Sequence, residues 1–126
     1  MRLTNLLVLN AVVALAFGIA FLLLPGTVIT LYGATPGPEI NLVGQLFGVE
    51  LVSVGLLCWF ARNVADGLAQ RAIVLAHLVA DAIGLLISLI GTLSAVLNAV
   101  GWSAVVIYLV LTLGYAYFQF MKPPPA

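Results

Sequence analysis

The chain has 126 residues, 64% of them hydrophobic and 6% charged, with four basic against four acidic side chains and no net charge, and its mean hydropathy is +1.27. A water-soluble domain is excluded, because soluble chains carry about a quarter charged residues to cover their surface. The absence of any run of like charge excludes nucleic acid and a polybasic lipid-surface patch, both of which need clustered Lys or Arg.

Four apolar stretches, approximately residues 5–24, 40–61, 68–92 and 98–120, are each long enough to cross a bilayer. Four crossings of about 20 residues use about 80 and leave about 46 for turns and tails, so a single membrane domain over residues 1–126 is expected, with no separate soluble unit. The stretches are continuous rather than alternating, which predicts helices and not a barrel. The fold class expected is all-α: a polytopic membrane protein with four transmembrane helices in an antiparallel bundle.

In the first stretch Arg2 precedes an apolar core and Ala14 to Ala16 spells a small-x-small pattern, which is also the form of a secretory signal. The apolar run passes through that point without a break, so a span is the preferred reading. Pro25 and Gly26 stop it. Gly33, Pro36, Gly37 and Pro38 follow around the apolar patch Thr27 to Tyr32, which reads as a short reentrant or amphipathic turn at the membrane interface. Asn63 to Gly67 joins the second and third spans, and a turn around Gly91 to Gly101 joins the third and fourth. Pro123 to Pro125 cannot continue a helix.

Arg2, Arg62, Arg71 and Lys122 all fall on one side of this arrangement, and the other two connections contain no Lys or Arg. Positive-inside counting therefore places both termini and the middle turn of this multi-pass chain in the cytoplasm. The aromatics agree: Trp59, Tyr115, Tyr117, Phe118 and Phe120 lie near the basic boundary, Tyr32 and Trp102 near the other.

Six of the eight charges sit at span ends or turns, which leaves Glu50 and Asp81 in mid-span with His77 one turn from Asp81. At 1.5 Å per residue, Glu50 lies about 18 Å and Asp81 about 19 Å from the basic end of its span, so the two share a level. Tyr108 reaches that level, and Ser53, His77 and Thr112 form a layer about one turn below it. His77, Asp81, Gly84, Ser88 and Gly91 make one stripe of the third span, and Gly101, Val105, Tyr108, Thr112, Tyr115 and Gln119 one of the fourth, two seams expected to face each other. On the second span Asn41, Gln45, Gly48, Val52 and Gly55 form a stripe, with Gly44 and Gly48 as a GxxxG pair suited to close helix contact. Glu50 points about 200° away from Gly48, toward Val43, Phe47, Val54 and Leu57. A midplane carboxylate facing lipid costs several kcal/mol, so both faces of this span are expected to be covered, by a central place in the bundle or by a second copy on the Gly44/Gly48 face. Asn10 and Gln45 read as interhelical glue. Cys58, the single cysteine, reads as a small buried hydrophobe with no disulfide partner.

Leu24-Pro25, Tyr32-Gly33, Leu46-Phe47-Gly48 and Gly55-Leu56-Leu57 give the first half of the chain the look of small four-helix bacterial inner-membrane proteins; it resembles the DoxX-like group, many of them domains of unknown function. Such proteins often show a basic residue just before the Leu-Phe-Gly element, where this chain has Gln45. The resemblance implies a four-helix bundle in a bacterial inner membrane and supplies no catalytic motif.

Three functions fit these residues. The leading one is a midplane pocket that binds a lipophilic small molecule and performs acid-base work on it, of isomerase, cyclase or epoxide-opening type. Glu50, His77 and Asp81 would be catalytic, with Glu50 as acid and Asp81 orienting His77 as base, and Tyr108, Thr112, Ser53 and Gln45 would contact the bound molecule. The others are an oligomeric proton or cation translocator using the same carboxyls, and an accessory subunit whose polar seam specifies packing. Two ligands on one helix with Glu50 as a third could also hold zinc or iron, although nothing forces them together. No nucleotide loop, haem attachment motif or nucleophile elbow is present, so no cofactor is expected. Membrane lipids, a lipophilic small molecule and a second copy are the expected partners.

Overall fold

The computed structural model describes residues 1–125, which are helical and contain no strand. Helix α1 (Leu3–Leu23) is apolar apart from Thr4, Asn5 and Asn10 and, at 1.5 Å per residue, about 31 Å long, enough for the hydrocarbon core. Leu24 breaks it with φ −134° and ψ 53°, and Pro25 opens a short second helix, α2 (Pro25–Leu31). The proline thus ends one helix and starts another, because at the first position of a helix its missing N–H is not needed. The expected interfacial turn at Thr27 to Tyr32 is this helix, and it ends where Gly33 takes the left-handed φ of 88°.

Helix α3 (Pro38–Ala61) starts at a proline in the same way. Helix α4 (Gly67–Leu93) is capped by Asp66, whose carboxylate accepts the Ala69 N–H at 2.8 Å. Helix α5 (Gly101–Ala116) continues into a widened π turn, Tyr117–Met121. Counting that turn with α5, four helices are long and apolar enough to cross a membrane: α1, α3, α4 and α5.

The long helices pack as two pairs, α1 with α3 and α4 with α5. Glycines set the first seam. A Cβ on Gly48 would lie 2.8 Å from the Gly18 carbonyl oxygen, one on Gly18 2.9 Å from the Val52 nitrogen, and one on Gly55 2.6 Å from Leu15 Cγ. The Gly44/Gly48 face, expected to receive a second copy, is therefore occupied by α1 and by Ile29 of α2. The reason is the complementary small residue at Gly18, which lets the α1 backbone approach where lipid could not. The second seam is the expected one: Gly84 lies under the Tyr108 ring and Gly101 against Thr92.

The pairs are joined at both ends. At the end carrying Arg2, Arg62, Arg71 and Lys122, a core of Leu6, Leu7, Ala11, Cys58, Val74, Leu111, Tyr115 and Phe118 draws on all four long helices, and Leu6 packs on Gly114. At the opposite end the Asn98 backbone N–H donates to the Tyr32 carbonyl at 3.0 Å, its side-chain amide donates to the Leu31 carbonyl at 2.9 Å, and the Tyr32 and Ser103 hydroxyls bond at 2.9 Å. Around the bundle the order is α3, α1, α5, α4; among the described residues α3 and α4 have no seam comparable to the other two.

The close approach at Gly48 makes a test. Gly48→Leu is expected to destabilise the detergent-solubilised protein by about 2 kcal/mol or more through overpacking. Gly37→Ala, where an added Cβ meets nothing within 4 Å, should leave the melting temperature unchanged; equal behaviour of the two variants would contradict the seam.

Candidate functional site

Two polar features lie inside the bundle, one turn apart. The lower is a closed knot. Asn10, 4% exposed, donates from its amide to the Tyr115 hydroxyl at 2.9 Å and approaches His77 Nδ1 at 3.5 Å. His77 Nε2 lies 3.3 Å from Cys58 Sγ, and the His77 and Tyr115 rings stack with centroids 4.8 Å apart and an interplanar angle of 14°. An amide N–H directed at Nδ1 leaves the imidazole proton on Nε2, facing the sulfur. Each of the four long helices supplies one member.

This arrangement corrects the expected role of His77. The i, i+4 spacing to Asp81 suggested a carboxylate-oriented base, yet the bonds of His77 run to Asn10 and Cys58 on other helices and not to Asp81. Asn10 and Tyr115, taken as glue and seam, and Cys58, taken as an inert hydrophobe, are the groups that engage it. A signal for this was present: Asn10 lies eight residues from Arg2, Cys58 four from Arg62, His77 six from Arg71 and Tyr115 seven from Lys122, so all four are near one boundary.

The upper feature is a cavity of about 490 Å³ between the two helix pairs. Its walls are overwhelmingly apolar, with Phe17 and Phe21 from α1, Ile29 from α2, Phe47 and Leu51 from α3, and Ile107 and Leu111 from α5. Asn10, Tyr32, Glu50, His77, Asp81 and Tyr108 are its polar lining. Asp81 is 7% exposed, and its Oδ2 is buried with no hydrogen-bond partner. A buried polar atom without a partner costs about 1–3 kcal/mol, more when charged.

Glu50 lines the same cavity but is exposed on the lipid-facing side of α3. The angular reading that turned it away from Gly48 holds, and α3 is not central in the bundle: α1 packs on one face, and among the described residues no helix makes a comparable seam on the other. Among the described residues no three His, Cys, Asp or Glu side chains gather closely enough to hold a metal, so Glu50, His77 and Asp81 do not form a three-ligand site.

The residues expected to contact a bound molecule divide. Tyr108 lines the cavity, half-buried over Gly84. Thr112, Ser53 and Gln45 are not part of its wall: Thr112 Oγ1 is buried without a partner, Ser53 is exposed, and Gln45 donates to the Leu22 carbonyl at 3.2 Å. Comparison of the chain with protein-family models, with curated proteins and with solved structures returns no match.

The knot and the cavity acid should respond differently to substitution. Asn10→Leu removes the donor to Tyr115 and is expected to cost about 1–2 kcal/mol, in the upper range for hydrogen bonds between membrane helices. Asp81→Asn removes no bond made within the chain and should leave stability within about 0.5 kcal/mol of the parent. Denaturant titration in detergent measures both; a larger loss at Asp81 than at Asn10 would assign Asp81 a structural partner.

Proposed function

We propose that this protein is a multi-pass inner-membrane protein, an antiparallel four-helix bundle with both termini in the cytoplasm, that binds a lipophilic small molecule in the interhelical cavity and does acid-base work on it. The observation that carries this reading is the Asp81 carboxyl oxygen, buried and unpartnered on the wall of an otherwise apolar space. Apolar walls with a few convergent polar groups are the usual make-up of a small-molecule site. A carboxyl there can accept or deliver a proton to a bound molecule that excludes water.

The parts divide differently from the sequence expectation. Asp81 is the acid-base group, Glu50 is a second carboxyl at the mouth, Tyr108 is a positioning hydroxyl, and His77 belongs to the knot beneath. The helices α3 and α4 lack a seam, and entry between them would bring a molecule dissolved in the bilayer to Asp81 without crossing a headgroup layer. The antiparallel arrangement is supported by Thr4 donating to the Arg62 carbonyl at 3.0 Å, start of α1 to end of α3, and orientation by the four cations at one end. The resemblance to DoxX-like proteins supports a bacterial inner membrane.

Binding is tested by extracting the purified protein and identifying retained lipophiles by mass spectrometry. The parent should be enriched in at least one species that Asp81→Ala and the cavity-filling Ala104→Phe both lose; equal recovery from all three overturns the reading. Orientation is tested in a Cys58→Ala background with an impermeant thiol reagent on intact cells. Thr35→Cys should label and Asn63→Cys should not, and the reverse pattern overturns the assigned topology.

A further inference from the structure

We infer that the cavity selects a lipophilic amine: an apolar body carrying a protonated nitrogen, which Asp81 receives and Glu50 helps to admit. This rests on the cavity being a binding site, as proposed above, and adds the chemistry of the head group.

The argument is one of charge placement. The ionisable groups on the cavity wall are Glu50, Asp81, His77 and the phenols Tyr32 and Tyr108; no Lys or Arg is among them. The chain has four cations, all committed to one end: Arg2 precedes α1, Lys122 follows the π turn, Arg62 stacks on Trp59 with its guanidinium carbon 3.8 Å from the ring centroid, and Arg71 donates to the Pro124 carbonyl at 2.7 Å. His77 is engaged by Asn10 on one nitrogen and by Cys58 on the other. Two carboxyls thus border an apolar space with no positive group to balance them.

An anionic head, such as a fatty acid carboxylate or a phosphate, would place a negative group beside two carboxyls in a low-dielectric site with no Lys or Arg to balance it. A plain hydroxyl could bond to Asp81 but takes no proton from it. An amine does both: it takes up the acid's proton and, as an ammonium, donates to Oδ2, and charge-assisted bonds of this kind are the stronger ones. Cavity shape agrees. The acid lies on a wall otherwise built of aliphatic and aromatic side chains, which suits a single cationic group on a hydrocarbon body rather than a polyamine.

The test uses dodecylamine, dodecanol and dodecanoate, three probes with one tail and different heads, in competition with a fluorescent apolar reporter on the protein in nanodiscs. Each affinity is taken as the ratio between parent and Asp81→Asn in the same lipid, so that partitioning into the bilayer cancels. Dodecylamine should lose on the order of tenfold in the variant, as for a hydrogen bond to a charged group, while dodecanol changes little and dodecanoate binds no worse. Glu50→Gln, at an exposed position with no packing to disturb, repeats the comparison and should weaken dodecylamine alone. If all three probes compete and none distinguishes parent from either variant, the amine inference fails and the cavity reading stands. If no probe displaces the reporter, both fail.

Discussion

Inside a bilayer a polar side chain has no water to bond to, so leaving it without a protein partner is costly. Asn10 avoids that cost for the bundle as a whole. One amide N–H goes to Tyr115 on α5 and the other points at His77 on α4, while His77 passes the contact on to Cys58 on α3. Lipid tails give apolar helices little reason to prefer one another, so register comes from directional bonds and close packing. A slip of one helix by a turn would move one member of this set about 5 Å and leave its partners unpaired in hydrocarbon.

Above the knot, packing decides the shape. The α1–α3 seam is built on glycines and the α4–α5 seam on a tyrosine ring over Gly84. The two seams use different surfaces, and the pairs are joined by the apolar core and knot at one end and by the Asn98 and Tyr32 contacts at the other. Between those two points the facing side chains include Ala14, Ala80 and Ala104, too short to close the gap. The cavity follows from an order α3, α1, α5, α4 that closes three sides of a four-helix square and leaves the fourth without a seam.

Composition and run length made the four spanning helices legible, because hydrocarbon permits little else, and the alternating stripes made the α4–α5 seam legible. The partner of the Gly44/Gly48 face was not, since a GxxxG pair says that a backbone comes close and not whose; Gly18 on α1 becomes meaningful only once the two depths are matched. The direction of Glu50 followed from 100° per residue, yet whether anything covers it depends on the order of helices around the bundle, which no local pattern encodes. His77 and Asp81 looked like a pair because i, i+4 spacing is local. The bonds that engage His77 come from residues 67 and 19 positions away in sequence, and only a comparison of distances from the basic boundary points to them.

The difference between those two neighbours on α4 bears on what fills the cavity. Both are more than nine-tenths buried, but His77 sits where three other helices converge and Asp81 one turn higher, where they have parted. A space of about 490 Å³ left unfilled would forfeit several kcal/mol of dispersion contact. Hydrocarbon tails alone would restore that contact and still leave Asp81 Oδ2 without a partner. The occupant proposed above meets both demands, being apolar over most of its surface and polar at one point.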